Sequence, residues 1–362
     1  MTDAPFVSVI LPIRNEEGFI ARSLGAVLAQ DYDPRRMEVL VADGMSTDGT
    51  RAALEVCAAA RPEVPVVIVD NPEGIVPTGM NAALARARGE VIVRVDGHTI
   101  VDSDYVAQCV EALRRSGAQN AGGKMTAVGS GRVAQAVAVA TSSPFGVGGA
   151  RFHYSDREEW VDTVYMGAWP REVLSGLGGF DPEMVRDQDD ELNYRLRERG
   201  GRILLSPKIR SRYFNRSSLR SLARQYAQYG FWKVRVLQKH PRQMRPRQFA
   251  PPALALGLAA GAVAFPFFRI ARWGLLLLAG VYLAADGAAS VSTGRRAPRK
   301  AGILLPVVFP ILHLSYGFGF LAGLARFWNR WDRRRSGSPA PAQEVTWNPR
   351  SPSTALRSPT PR

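Results

Sequence analysis

Two groups of side chains in this 362-residue sequence have types and spacing that could do chemistry. Asp96, Gly97 and His98 follow an apolar run, and residues 187–191 carry four carboxylates in five positions. The ordinary use of such residues is to cap a helix or form a turn, and a helix dipole accounts for one or two acids in a first turn. The chemical use is to bind a cation or to exchange protons.

The elements that must position these residues alternate along the chain. Short apolar runs predict strands at 7–13, 38–42, 66–69 and 91–95, and apolar periodicity predicts helices at 16–30, 48–60, 78–87 and 102–115. Strands that alternate with helices of this length predict an α/β fold, with a mostly parallel sheet and right-handed crossovers.

Polar residues follow three of the predicted strands. Arg14 and Glu16 follow the first strand, Asp43 ends the second, and Asp96 follows the fourth. In parallel sheets ligands bind beyond the carboxyl ends of the strands. Carboxylates gathered at one edge repel each other, and a bound cation or hydrogen-bond donors would relieve that repulsion. We therefore expect a binding site at this edge.

Several classes of protein are disfavoured. No Gly-x-Gly-x-x-Gly follows the first strand and no Gly-Lys-Ser/Thr loop is present, so recognition of a diphosphate would depend on a metal ion. Two cysteines exclude a disulfide scaffold and a four-cysteine zinc site. Residues 1–194 carry a net charge of −11, whereas 195–248 carry +15 and 249–362 carry +11. An acidic front domain argues against nucleic acid as a partner.

The basic part of the chain coincides with three apolar segments, at 249–268, 273–291 and 303–327. Each is close to the roughly 20 residues that cross a bilayer, and arginines flank all three. The pattern favours a multi-pass protein of the cell (inner) membrane. The alternative is buried core helices of a soluble domain. Three crossings would place Arg333–Arg335 outside, against the positive-inside rule, so one segment being re-entrant or interfacial stays open.

The beginning of the chain has neither the basic region nor the long apolar run of a signal peptide, so we expect the front domain to be cytoplasmic. The expected organisation is a catalytic domain at 1–215, a basic juxtamembrane segment at 216–248, two to three membrane helices at 249–327 and a disordered tail at 328–362. The basic stretch at 195–248 would contact anionic lipid headgroups, at about 1 kcal/mol per basic side chain, and the alternative is a solvated basic face.

Four blocks of sequence carry a resemblance to a known family. They are "VSVILPIRNEE" at 7–17, "VLVADGMSTDGT" at 39–50, "VRVDGH" at 93–98 and "GGFDPEMVRDQDDELNYRLRERGGRI" at 178–203. In this order the blocks resemble family 2 glycosyltransferases over about 7–230. The resemblance implies the nucleotide-sugar-binding GT-A fold, a nucleoside diphosphate sugar as donor, Mn²⁺ or Mg²⁺, and inversion at the anomeric carbon. The segments that follow resemble membrane-bound transferases of bacterial exopolysaccharide assembly, of the succinoglycan type.

The resemblance also implies roles for individual residues. Pro12, Arg14 and Glu16 match the loop that lines the base and ribose pocket. Asp43 matches the carboxylate that reads the base or ribose, and Asn81 matches a polar residue on the helix before the metal strand.

Asp96, Gly97 and His98 stand where the family has Asp-x-Asp, so Asp96 and His98 are the expected metal ligands, and the imidazole suits Mn²⁺ somewhat better than Mg²⁺. An extended strand end would place these two side chains on one side, with Gly97 leaving room for phosphates.

The fourth block implies the catalytic base. Gln188 takes the place of the family's glutamate, so Asp189 is the expected base and Asp190 the second candidate. The Gln-x-x-Arg-Trp motif of processive synthases is absent, since the chain reads Gln225-Tyr226-Ala227-Gln228-Tyr229.

The expected reaction moves a sugar, from a UDP-sugar in preference to a GDP-sugar, onto a hydroxyl of a lipid-linked saccharide. The alternatives are transfer directly to polyprenyl phosphate and a non-catalytic, membrane-anchored nucleotide-binding scaffold.

Overall fold

A computed structural model describes residues 4–215, 218–295 and 297–331. The predicted disordered tail and the Arg333–Arg335 cluster lie outside these residues. Nine strands form one sheet: Val7–Ile13 (β1), Met37–Asp43 (β2), Val66–Asp70 (β3), Val91–Arg94 (β4), Thr99–Val101 (β5), Asn120–Val128 (β6), Glu159–Val161 (β7), Tyr165–Pro170 (β8) and Ile203–Phe214 (β9).

The sheet is parallel on one side and mixed on the other. Its order is β3-β2-β1-β4-β8-β6-β9-β5, with β7 paired to β9. The pairs β1–β2, β1–β4 and β2–β3 are parallel, as predicted, and so is β6–β9. β8 runs antiparallel to both β4 and β6, while β5 and β7 run antiparallel to β9. The α/β prediction is confirmed, and the antiparallel strands are the part that alternation did not reveal.

The helices, in chain order, are Glu17–Leu28 (α1), Thr50–Ala60 (α2), Val76–Arg86 (α3), Tyr105–Ser116 (α4), Arg132–Thr141 (α5), Pro144–Val147 (α6), Arg171–Leu177 (α7), Gln188–Glu198 (α8), Leu219–Lys239 (α9), Ala250–Ala264 (α10), Arg269–Gly294 (α11), Arg299–Gly302 (α12) and Leu305–Arg326 (α13). The first four match the helices that apolar periodicity predicts, with ends shifted by up to three residues.

Two apolar clusters cover the two faces of the sheet. Val9 and Leu11 of β1 pack with Leu24 of α1 on one face, whereas Ile10 packs with Met80 of α3 on the other. Successive residues of a strand point to opposite faces, so a strand buried on both sides is apolar throughout. Helices α1, α2 and α4 cover the first face, and α3, α7 and α8 cover the second.

The apolar segments form three long helices beside the sheet domain. Within the described residues, α11 and α13 are long and apolar enough to cross a bilayer. The predicted segment at 249–268 forms α10, which has 15 residues and is therefore about 22 Å long. Helix α13 packs along α9, where glycines bring the backbones together: a Cβ on Gly230 or Gly319 would collide with the other helix.

Candidate active site

A cavity of about 1370 Å³ opens at the carboxyl ends of β1 and β4, where the sequence predicts the site. The cavity is lined by seven of the ten predicted site residues: Pro12, Arg14, Glu16, Asp96, His98, Asp189 and Asp190. The antiparallel strand β8 closes the edge beside β4, and the beginning of α8 supplies Asp189 and Asp190.

A buried arginine connects the predicted metal ligand Asp96 with the predicted base Asp189. Arg94, whose side chain is 4% exposed, donates from Nε to Asp96 Oδ1 at 2.8 Å and forms a second, very short ion pair with Asp189. The other oxygen of Asp96 accepts from the Tyr165 hydroxyl at 3.2 Å. Sequence reasoning missed Arg94, although a residue two positions before Asp96 on a strand is a natural neighbour of that side chain.

The surroundings of Asp96 and Asp189 move their pKa values in opposite directions. Burial alone would raise the pKa of Asp96, but Arg94, with His98 and the Tyr165 hydroxyl, holds it below its usual value. Burial raises the pKa of Asp189 to about 6, although Arg94 opposes the shift. Asp96 therefore stays a carboxylate near neutral pH, whereas Asp189 can exchange a proton there.

We expect kcat/KM for sugar transfer to rise with pH through about pH 6. A base must be ionised to accept a proton, and burial raises the pKa of Asp189, the predicted base, to about 6, so we expect the form protonated at Asp189 to be inactive. A pH–rate profile of the full-length protein measures the midpoint.

Asp187 is the control for this profile because burial raises its pKa to about 6 as well. Its backbone is left-handed, with φ 59°, a conformation that asparagine tolerates. Asp187→Asn should leave the midpoint of the pH–rate profile unchanged. If this variant instead removed the pH dependence, the general base would be assigned to Asp187 and not to Asp189.

His98 is oriented as metal-binding histidines usually are. Its Nδ1 lies 3.1 Å from Glu16 Oε1, and its ring packs edge-on against Tyr213. A carboxylate at one ring nitrogen fixes the tautomer that leaves the other free for a metal. Within the described residues Nε2 makes no hydrogen bond. Glu16, predicted in the base and ribose pocket, thus contacts the proposed metal ligand.

The predicted ligands suit a metal ion that a substrate also coordinates. No group of three or more His, Cys, Asp or Glu side chains is placed to hold a metal in the described parts of the chain. Mg²⁺ in particular is commonly held by one or two protein ligands together with substrate phosphates. Asp96 would be such a carboxylate, and His98 stays the predicted second ligand.

Gly97 has a different role from the one predicted. Thr99 N donates to Asp96 O at 3.0 Å, so residues 96–99 form a turn and the predicted extended strand end is wrong. A Cβ at Gly97 would lie 2.8 Å from Ile13 Cγ2 and 3.2 Å from Glu16 Cγ. The glycine therefore allows close packing against the end of β1. The turn still leaves Asp96 and His98 lining one cavity.

Two predicted donor-binding residues use their side chains within the protein. The buried Asp43 carboxylate accepts from Ser46 Oγ and from Arg51 Nε, both at 2.5 Å. The amide of Asn81 donates to Phe180 O at 2.7 Å and accepts from Phe180 N at 2.8 Å. Asn81 thus holds the glycine-rich turn before the acidic cluster. Neither residue lines the cavity.

The second base candidate, Asp190, is ion-paired. The buried Lys233 of α9 forms a very short contact with its carboxylate, and Gln243 Nε2 donates to the Asp190 carbonyl at 3.1 Å. Asp189 is ion-paired as well, with Arg94, so ion pairing does not separate the two candidates; what favours Asp189 as base is that burial raises its pKa to about 6. Sequence reasoning missed the role of Lys233. The rarity of lysine, with five among 47 basic residues, is the feature of the sequence that could have drawn attention to it.

Comparisons with known proteins agree with this fold and site. Residues 8–169 match the model of glycosyl transferase family 2. The succinoglycan biosynthesis protein ExoA of Rhizobium meliloti is 31% identical over 326 residues, which are 89% of this chain and 96% of that protein. A Methanococcus voltae dolichyl N-acetyl-alpha-D-glucosaminyl phosphate 3-beta-D-2,3-diacetamido-2,3-dideoxy-beta-D-glucuronosyltransferase is 24% identical, over 89% of this chain and 98% of its own length.

A solved structure has the same fold. The Pyrobaculum calidifontis mannosyltransferase PcManGT, in complex with GDP-Man and Mn²⁺, superposes with a TM-score of 0.56 at 24% identity, covering 92% of this chain and 89% of its own. Together with the sequence match over nearly the whole of ExoA, this establishes that the chain is a glycosyltransferase with a GT-A domain and belongs to glycosyl transferase family 2.

Proposed function

We propose that the protein transfers a sugar from a nucleoside diphosphate sugar to a hydroxyl of a lipid-linked saccharide, with inversion, in the synthesis of a cell-surface polysaccharide. One observation carries this proposal. The cavity that holds Asp96 and Asp189 continues between the apolar helices, where Leu254, Leu278, Val281 and Leu312 line it. A soluble acceptor would have no use for such an apolar extension, whereas a lipid chain would occupy it.

Two relatives support this acceptor class. ExoA is named for succinoglycan biosynthesis, and the name of the Methanococcus enzyme describes an acceptor sugar linked to dolichyl phosphate. The latter acceptor is a lipid-linked saccharide, so it favours that class over bare polyprenyl phosphate. Family membership, with a carboxylate pair held by Arg94, speaks against the non-catalytic scaffold.

The residues of the site suggest how the reaction proceeds. Mn²⁺ or Mg²⁺ bound by Asp96 and His98 would neutralise charge on the diphosphate leaving group. Arg94 keeps Asp96 ionised and fixes Asp189 in place through its two ion pairs. Asp189 accepts the proton of the acceptor hydroxyl, whose oxygen attacks the anomeric carbon from the face opposite the diphosphate. The sugar is transferred with inversion.

The preference for a UDP-sugar over a GDP-sugar stays a prediction, because the Pyrobaculum mannosyltransferase of similar fold binds GDP-Man with Mn²⁺. We also propose that the catalytic domain faces the cytoplasm at the inner membrane. Two apolar helices support membrane association, while the predicted multi-pass arrangement depends on the path of those helices.

Thermal melting of the detergent-solubilised protein with UDP or GDP, each with and without Mn²⁺, tests the donor site. At 100 times the dissociation constant a ligand stabilises by about 2.7 kcal/mol, which corresponds to several degrees in Tm. We expect a Mn²⁺-dependent rise with one nucleotide and its loss in Asp96→Ala. Asp104→Ala, a surface carboxylate outside the cavity, is the matched control and should keep the rise.

The possible results separate the parts of the proposal. A rise that survives in Asp96→Ala would place the metal elsewhere. No rise with either nucleotide would refute the donor site.

A further inference from the structure

The first two apolar helices form an antiparallel hairpin whose outer surface is apolar. A Cβ on Gly257 would lie 2.8 Å from Leu278 Cδ2, and one on Gly261 would lie 3.1 Å from Leu275 Cδ1. As the residue number rises along α10, its partner's number falls along α11. Large apolar side chains are exposed along the hairpin, among them Val263, Phe267, Ile270, Trp273, Leu277 and Val291.

The hairpin begins and ends at the catalytic domain. A Cβ on Gly317 of α13 would collide with Pro251, which fixes the beginning of α10 beside the domain. Val281 and Leu283 of α11 are 60% and 62% exposed, whereas Asp286 and Ser290 are 2% and 6% exposed. Ala289 packs in the cluster that contains Ala136 of α5. One face of the last turns of α11 is therefore covered by protein, while Val291 on another face is 58% exposed.

Helix α13 contacts the catalytic domain at its start, middle and end. Leu305 and Val308 pack with Val137 of α5. His313 Nε2 lies 2.8 Å from Phe145 O, at α6. Gln238 Nε2 of α9 donates to Phe327 O at 2.6 Å, just beyond the last turn.

Helix α9 is itself fixed to the catalytic domain by charge. Lys233 pairs with Asp190, Arg235 Nε lies 2.8 Å from Glu183 Oε1, and Lys239 Nζ lies 2.6 Å from Asp181 Oδ2. If α13 crossed the bilayer, α9 would enter the hydrocarbon with it. Because three ion pairs fix α9 to the folded catalytic domain, α9 and the α13 that packs along it stay with that domain outside the bilayer.

From these contacts we infer a one-sided membrane-docking surface, made of the α10–α11 hairpin and the outer face of α13, whose partner is a lipid bilayer. The hairpin enters the bilayer and returns on the face where the catalytic domain lies, and α13 does not cross. Helix α10, with a length of about 22 Å, is shorter than the roughly 30 Å hydrocarbon core, whereas the 26 residues of α11 span about 39 Å. The contacts at the two ends of the hairpin, and not the lengths of its helices, are therefore what place both ends on the side of the catalytic domain. The inference rests on the membrane association in the proposed function and replaces the predicted multi-pass arrangement with an insertion from one side.

Labelling of single cysteines by a membrane-impermeant maleimide, in right-side-out and inverted vesicles, tests this path. The full-length background carries Cys57→Ser and keeps the fully buried Cys109. Glu63→Cys, on the exposed end of α2, marks the side of the catalytic domain. Ser292→Cys reports the end of α11, and Asn329→Cys reports the residues after α13. Retained sugar transfer shows that each variant is folded.

We expect both Ser292→Cys and Asn329→Cys to be labelled from the same side as Glu63→Cys. Labelling of Ser292→Cys from the opposite side, with Asn329→Cys on the catalytic side, would mean that α11 and α13 cross. The reverse result would mean that α13 crosses. Arg269→Cys, at the turn of the hairpin, should be labelled from neither side, and its labelling from the side opposite Glu63→Cys would mean that α10 and α11 both cross. Any of these crossings overturns the inference and leaves the membrane association intact. If the protein instead stayed in the detergent-free supernatant after the membranes were pelleted, the membrane association would be refuted.

Discussion

Replacing Asp189 by asparagine is expected to lower kcat for sugar transfer by about 10² to 10⁴, the usual contribution of a general base. Asparagine keeps the size of the side chain and can still accept from Arg94, but it cannot take a proton from the acceptor hydroxyl. The affinity for the nucleotide should change little, because Asp189 faces the acceptor in this mechanism. Single-turnover transfer and nucleotide binding, measured on the same preparation, separate the two effects.

The matched control is Asp190→Asn, one residue further along α8. Asp190 pairs with Lys233, so its loss disturbs a structural contact and not the proposed proton transfer. We expect a smaller fall in kcat and an unchanged midpoint in the pH–rate profile. If Asp190→Asn were the inactive variant and Asp189→Asn retained transfer, the base would be assigned to Asp190.

Replacing Arg94 by methionine is expected to lower the free energy of unfolding by about 3–5 kcal/mol, the usual result of removing one partner from a buried ion pair. The variant leaves the Asp96 and Asp189 carboxylates facing each other without the cation that holds both. Methionine fills most of the volume, so the loss arises from charge and not from a cavity. Transfer should fall as well, since both carboxylates lose their anchor.

Denaturation followed by tryptophan fluorescence measures the effect, because Trp169 is buried beside Phe180 in the sheet domain. Arg35→Met is the matched control, since Arg35 pairs with Asp33 on the open surface and should be nearly silent. Equal stability of the two variants would show that Arg94 does not hold the site together. Asp189→Asn in the Arg94→Met background should recover part of the lost stability, because one unpaired charge is removed.

Much of the fold follows from periodicity, and the part that does not has a physical reason. Strands β1, β2 and β4 are buried on both faces, so each appears in the sequence as a continuous apolar run between helices. β8 is also buried, but it joins the sheet through an antiparallel pairing with β4, which the alternation of strands and helices does not predict. Tertiary packing decides which distant segment pairs with the open edge of a sheet. The pattern of a single sequence does not contain that information.

The sequence predicted which residues lie at the site better than it predicted which residues they contact. Motif spacing located Asp96, His98 and Asp189 at one cavity. It did not reveal that Arg94 joins two of them, since that contact spans 95 residues. It likewise assigned Asp43 and Asn81 to the donor, although the structure shows their polar atoms bonded to Ser46, Arg51 and Phe180. A motif gives the type of a side chain, while its partners are decided by folding.

The ion pairs of α9 have a consequence for how this enzyme can be divided. The predicted boundary at residue 215 separates a catalytic domain from its membrane part, yet Lys233, Arg235 and Lys239 hold the loop that leads into the catalytic helix. Helix α9 in turn rests on α13 through close glycine contacts. The apolar helices therefore support the cavity that holds Asp189, and we expect a version shortened at residue 215 to lose that support. In this chain the sheet domain and the apolar helices form a single structural unit.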